Sequence, residues 1–292
     1  MKRAAAFAAV YFGWGSLYLA VRIALESFPP FILAASTMIA AGVILHALGA
    51  LRVHVLPTLS QWTYALRTGF LLVFVGNGAV AWGEQTVPSA LTAILLATEV
   101  LWIALFDWVF FGGRAPAGRA VLGITLGLSG TAVLVWTGVP SGVDPRGLAV
   151  ILLAALGWSF GSLISRRDPD PPSAVFSTSM PMLLGGVMLA LAATLTGEWG
   201  RFECAQVSVR SAVALGHAVL VGSVVAYSSY VWLLKNVSLA KVSTYAYVNP
   251  LVAVALGWAL GGESVNLRML AGSVLIIFST ILILSQTEKV CA

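Results

Sequence analysis

Apolar residues run through this chain in blocks of about 20, broken by short stretches of Gly, Pro and charge. The blocks fall at about 3–25, 31–50, 66–85, 89–111, 119–137, 147–165, 173–196, 211–234, 240–261 and 267–285. Each is close to the roughly 20 residues a helix needs to cross a hydrocarbon core of about 30 Å. A strand reading fails, because membrane strands alternate polarity over roughly 10 residues and a stretch such as LTAILLATEVLWIALFDWVFF does not. The pattern predicts an all-α polytopic membrane protein of ten transmembrane helices. The joining segments are short, about 15 residues at most, which leaves no room for a soluble domain.

The blocks are also written twice. FGWGSLYLAVR at 12–22 superposes on LGWSFGSLISR at 156–166 with a shift of 144 positions, aligning Gly13 with Gly157, Trp14 with Trp158, Leu19 with Leu163 and Arg22 with Arg166. Further along the shift is near 150 and aligns Trp82 with Trp232, Ala90 with Ala240, Trp108 with Trp258 and Gly112 with Gly262. The chain thus divides into a repeat at 1–140 holding spans one to five and a second at 141–292 holding spans six to ten. Five is odd, so the second copy enters the membrane from the opposite face. Inverted five-helix repeats are a mark of secondary transporters, whose substrate sites lie near the midplane where the copies meet.

Composition strengthens this reading. The chain is 59% hydrophobic and 9% charged with a mean hydropathy of +0.95, against about 25% charged residues in a soluble domain. The charge pattern orients the bundle, since Lys and Arg outside the spans are retained on the cytoplasmic side. With ten spans, the side of both termini collects Lys2, Arg3, Arg52, Arg67, Arg114, Arg119, Arg166, Arg167, Lys235, Lys241 and Lys289, and the other side Arg22, Arg146, Arg201, Arg210 and Arg268. Eleven against five places both termini inside. That bias absorbs the net charge of +5 and leaves no basic stripe for nucleic acid. Cys204 and Cys291 fall on opposite sides and form no disulfide framework.

Two five-helix halves, a Gly-Trp pair in the first helix of each half and the segment NPLVAVALGWALGGES in the ninth span resemble the drug/metabolite transporter superfamily, in its EamA-type branch. The resemblance covers essentially the whole chain and is strongest to aromatic amino-acid exporters of the bacterial inner membrane. It implies a carrier that works without a cofactor and as a monomer. Two departures stand out. The second half carries the family's Gly-Glu as Gly262 and Glu263 where the first half has Gly112 and Gly113, and its helix proline is Pro250 where the first half has Val100.

Polar residues inside apolar spans mark candidate chemistry, because they are costly there. Glu99 lies near the middle of span four, where an acid costs about 2.5–3.5 kcal/mol on insertion scales. Its repeat mate is Asn249, directly before Pro250. Both are expected to bound one cavity, against the alternative of a hydrogen bond between helices. Lys241, Tyr245 and Asn249 share one face of span nine by i, i+4, i+8 spacing, and Pro250 frees a carbonyl one turn earlier and is a candidate hinge. Asn77, between Gly76 and Gly78, corresponds to Tyr227 in span eight, and either the amide contacts substrate or the glycines only permit close packing. Trp14 and Trp158 sit deep in their helices, where they stack on a solute, gate it, or fill space. Trp62, Trp136 and Trp199 fall near span ends as interface anchors. Gly123, Gly127 and Gly130, with Gly272 and Ser279, read as a packing stripe between spans five and ten.

The candidate substrate residues are therefore Trp14, Asn77, Glu99, Trp158, Tyr227, Tyr245 and Asn249. Scattered His46, His54 and His217, with no HExxH and no Gly-x-Ser-x-Gly, give neither a metal site nor an enzyme. Nothing resembles a channel filter. The expected function is a secondary transporter of the bacterial inner membrane exporting amino acids, aromatic and other apolar ones favoured, by alternating access. Purines and drug-like amines stay open as alternatives.

Overall fold

A computed structural model describes residues 2–51, 57–113, 115–116, 118–137, 143–167, 175–237, 244–265 and 267–290. Among the described residues the chain is helical throughout, without a strand. The helices are α1 (Lys2–Ala24), α2 (Pro30–Ala50), α3 (Leu59–Gly83), α4 (Ser89–Phe111), α5 (Arg119–Thr137), α6 (Pro145–Arg167), α7 (Phe176–Leu195), α8 (209–236), α9 (Tyr245–Leu260) and α10 (Leu267–Val290). Seven of them, α1 to α4 and α6 to α8, are long and apolar enough to cross a membrane, while α5, α9 and α10 contribute shorter apolar stretches. Phe12, Trp108, Phe110, Leu191, Trp258 and Phe278, from five helices, are exposed on the outside of the bundle. Water would not tolerate such an apolar belt, and lipid requires it. Trp62 and Trp199 are exposed near helix ends. Lys241, Cys291 and the side chains of Trp136 and Arg166 lie outside the described residues.

Two helices depart from the hydropathy pattern. α3 begins near Leu59 rather than near 66, because Thr58 and Gln61 close a capping box: the Gln61 amide donates to the Thr58 hydroxyl oxygen (3.3 Å) and the Thr58 amide to the Gln61 side chain (2.9 Å). Hydropathy misses this polar first turn, whereas capping chemistry reads it. α4 is interrupted at Ala97–Thr98 into pieces Ser89–Leu96 and Glu99–Phe111. At the break the Leu95 carbonyl accepts both the Thr98 hydroxyl (2.6 Å) and the Thr98 amide (3.1 Å) in place of a regular helical bond. A carboxylate at position 99 therefore opens a half-helix, where the positive end of the helix dipole favours it.

The two halves share a backbone irregularity. α3 widens to a π-helix over Gly69–Asn77 and α8 over Ala218–Ala226, two segments that coincide to within one residue under the shift relating the halves. Such widened turns cluster at functional sites. Each π segment is packed by the Gly-Trp pair of the other half. A methyl on Gly13 would lie 2.8 Å from Ala226 Cβ and 3.3 Å from the Val221 carbonyl. On Gly157 it would lie 2.6 Å from Val75 and 3.2 Å from the Leu71 carbonyl. Glycine is required at both places, and the contacts it permits are counterparts across the repeat.

Small residues also join α5 to α10. Cβ atoms built on Gly123, Gly127 and Gly130 would meet the Ser279 carbonyl at 2.9 Å, the Ser279 hydroxyl at 2.6 Å and the Gly272 carbonyl at 3.1 Å. This is the stripe read from the sequence, and close backbone approach is its whole function.

At the bundle end where α1 stops, acidic side chains cap helices that lack a cap of their own. Glu198 accepts from the Phe31 and Ile32 amides (3.0 Å each) at the start of α2. Glu263 accepts from the Ser89 amide (2.8 Å), the Ser89 hydroxyl (2.7 Å) and the Ala90 amide (3.0 Å) at the start of α4. Gly262, at φ +65°, makes the left-handed turn that aims Glu263 there, and Gly112 makes the same turn at φ +67° after α4.

Candidate functional site

A cavity of about 140 Å³ lies at the centre of the bundle, and all eight residues singled out from the sequence line it: Trp14, Asn77, Glu99, Trp158, Tyr227, Tyr245, Asn249 and Pro250. They come from α1, α3, α4, α6, α8 and α9, so no local motif contains the site. α2 and α7 complete the wall with Thr37, Met38, Pro181 and Met182.

The acidic corner is built around the α4 break. Glu99 is 7% exposed, and its carboxylate faces the Tyr245 side chain across the cavity wall. Its backbone carbonyl accepts from the Ser159 hydroxyl (3.0 Å), which fixes the half-helix against α6. Asn249 is 4% exposed, and its Oδ1 has no hydrogen-bond partner among the described residues. A buried amide oxygen left unpaired costs about 1–3 kcal/mol. Such a group is worth retaining where a bound solute supplies the missing donor.

The aromatic wall adjoins this corner through Tyr245 and is built around Trp14. The Trp14 ring centroid is 6.0 Å from Tyr227, 5.1 Å from Tyr230 and 5.1 Å from Tyr245, and its Nε1 donates to the Gly222 carbonyl (3.0 Å). Tyr245 thus contacts the indole and faces the carboxylate. Below this cluster Tyr11 and Thr244 share a hydroxyl hydrogen bond of 2.5 Å. Trp158 lies against the π segment of α3, and a methyl on Gly76 would come within 3.0 Å of its ring. Asn77 closes the same segment, its Nδ2 donating to the Leu72 carbonyl (2.9 Å), a bond made available by the widened turn. Pro250 stands inside α9 beside Asn249, where it withholds an amide from the Ala246 carbonyl.

The structure adds residues the sequence reading missed. Tyr18 lines the cavity together with Glu99, in the direction of Glu84. It lies four positions after Trp14, so the i, i+4 rule already places it on the Trp14 face. Ser159 directly follows Trp158, but a serine bonding a carbonyl in a helix of the other half leaves no local signal. Among the described lining residues there is no Arg, Lys or His.

Apolar helices enclosing a central polar and aromatic cavity are the architecture of a membrane transporter. The model of the EamA-like transporter family matches residues 2–136 and again residues 145–285, and the chain belongs to that family. It is 39% identical over 277 residues to the uncharacterized inner membrane transporter YedA of Escherichia coli K12, covering 94% of this chain and 88% of that one. With the uncharacterized transporter YvbV of Bacillus subtilis 168 it shares 20% identity over 275 residues, 94% of this chain and 89% of the other. A solved crystal structure superposes with a TM-score of 0.65 at 20% identity over 96% of both chains, a likeness of fold alone.

Proposed function

We propose that the chain is an inner-membrane carrier that exports amino acids with apolar or aromatic side chains by alternating access of the central cavity. The observation that carries this reading is the pair of acceptors, the Glu99 carboxylate and the unpaired Asn249 Oδ1, in a cavity walled by Trp14, Tyr227 and Tyr245. An ammonium group satisfies both acceptors, and an aromatic wall suits both a cation and a flat side chain. The Asn77 amide and the Tyr18 and Tyr227 hydroxyls supply donors for a carboxylate. A phosphorylated solute would meet a carboxylate and no lining cation, which disfavours it.

In this reading the halves 1–140 and 141–292 are inverted repeats of five spans, functional as a monomer, with both termini cytoplasmic. The matched π segments and the reciprocal Gly-Trp packing support two interconvertible halves. The charge bias then makes the end bearing Arg22, Glu198 and Glu263 the outer one. The test is a proteoliposome uptake panel of amino acids, their deaminated analogues, purines and aliphatic amines, with and without a proton gradient. Saturable counterflow of aromatic amino acids is expected. Saturation by purines alone would replace the substrate class, and non-saturable flux would replace the carrier by a channel.

A further inference from the structure

Glu84 belongs neither to the cavity wall nor to the helix caps. It stands one residue beyond the last turn of α3, at the bundle end where α1 stops. It is 0% exposed, and neither carboxyl oxygen has a hydrogen-bond partner among the described residues. From α4 it is faced by Thr92, whose buried hydroxyl lies close enough to interact with the carboxyl but makes no hydrogen bond of normal geometry to it. From α1 it is faced by Arg22, whose Nη1 donates to the Glu84 backbone carbonyl rather than to the carboxylate, and by Tyr18. The segment after α9 brings Glu263, whose two oxygens are engaged by Ser89 and Ala90. α6 and α2 approach this end of α3 with Gly147, Ile151 and Phe31, which carry no charge.

These neighbours decide the protonation state. Glu263 has three donors, so its charge is satisfied and belongs to the α4 cap. Glu84 has only the poorly placed Thr92 hydroxyl, and burying a carboxylate with so little compensation is among the most costly arrangements a protein can hold. Burial first, and the Glu263 charge second, push the Glu84 carboxyl well above the usual carboxylate range, with the Arg22 guanidinium and then the Thr92 hydroxyl pulling the other way. A metal cation is the poorer occupant, because a guanidinium is already adjacent and sodium-like ions demand more oxygens than one carboxyl and one hydroxyl supply.

We propose that Glu84 is a proton-binding site that locks the outer end of the transporter. This rests on the alternating-access reading above. The carboxyl keeps its proton while α1, the end of α3, the start of α4 and the segment after α9 are closed around it. When they part, water reaches the group, its O–H bond breaks, and the proton passes to the outer solution. The carboxylate then pairs with Arg22 and is rehydrated, which opposes closure until a proton returns. The closed state is therefore the one that binds the proton more tightly. Its advantage is complete at low pH and is lost as pH rises through the raised value, at up to about tenfold per pH unit for one proton.

The test uses the full chain with Cys291→Ser, so that Cys204, exposed in the α7–α8 connection, is the reference thiol. Val21→Cys places the reporter in the cavity wall one residue before Arg22. A membrane-impermeant maleimide is applied from outside to cells or oriented vesicles, and the reporter rate is divided by the Cys204 rate to remove thiol chemistry. The ratio is expected to rise with external pH. Glu84→Gln, which mimics the protonated acid, should hold the ratio low and flat. Arg22→Gln removes the cation that favours ionisation and should move the curve to higher pH, and this shift decides the matter where Glu84→Gln folds poorly. A pH profile unchanged by both substitutions overturns the proposal, as does a flat profile without them. A ratio that follows sodium at constant pH overturns it in favour of a metal cation. A reporter closed to label at every pH and with every substrate overturns alternating access itself, whereas one that labels independently of pH removes only the proton lock.

Discussion

Glu99→Gln tests the site most directly. The carboxylate is nearly buried, opens a half-helix and faces the Tyr245 side chain. Glutamine keeps the volume and still offers an acceptor on the Tyr245 side, so the helix break and the Ser159 bond to the Glu99 carbonyl survive. What is lost is a charge facing the solute, and the new NH2 presents a donor to an ammonium donor. A hydrogen bond to a charged group contributes about 1.5–3 kcal/mol, equivalent to about 10- to 150-fold in affinity at about 1.4 kcal/mol per decade. Binding of an aromatic amino acid to the purified protein should weaken by that factor. Binding of the deaminated acid, which offers no ammonium, should change far less. The assay is equilibrium binding of the two ligands in detergent, with the melting temperature as a check on folding. Equal loss for both ligands in step with a lower melting temperature would make Glu99 a structural residue. Unchanged binding of both would take it out of the site.

Asn249→Leu removes the unpaired Oδ1 and should leave the melting temperature unchanged or raised, since an unpaired buried acceptor costs about 1–3 kcal/mol, while amino-acid uptake falls; a lower melting temperature with normal uptake would contradict the site. Glu263→Ala strips the α4 start of its acceptor for three donors and should destabilise by about 1–3 kcal/mol, with partial recovery in Glu263→Gln, both read by thermal melting. Gly127→Ala drives a methyl to within 2.5 Å of Leu101 and 2.6 Å of Ser279 and should cost about 1–3 kcal/mol through overpacking; a neutral effect would mean that α5 and α10 separate easily. Cysteine labelling should place 22–30, 138–146 and 197–210 outside and 51–66 and 166–172 inside, and labelling of Arg166→Cys from the periplasm would overturn the inverted repeat.

The sequence by itself determined the membrane class, because repeated apolar blocks long enough to span a hydrocarbon core admit no other solvent. It also showed the duplication and the polar residues that apolar helices carry at a cost. Glu99, Asn249 and the two Gly-Trp pairs were legible for that reason: each is a local violation of an otherwise uniform pattern. Only the tertiary structure decided what those residues face. That Trp14 packs on the π segment of α8, and Trp158 on that of α3, follows from helices of opposite halves, remote in sequence, meeting in space, which no spacing rule encodes. Backbone detail was equally hidden. Hydropathy is blind to whether a carbonyl is bonded four or five positions on, so neither the π segments nor the α4 break left a trace in the apolar pattern. Glu84, Glu198 and Glu263 fall in or beside loops, where an acidic residue is ordinary in any sequence. Their surroundings arise only when α1, α2, α4, α7 and α9 bring their ends together, since a carboxylate becomes a helix cap or a buried acid through its neighbours and not through its identity.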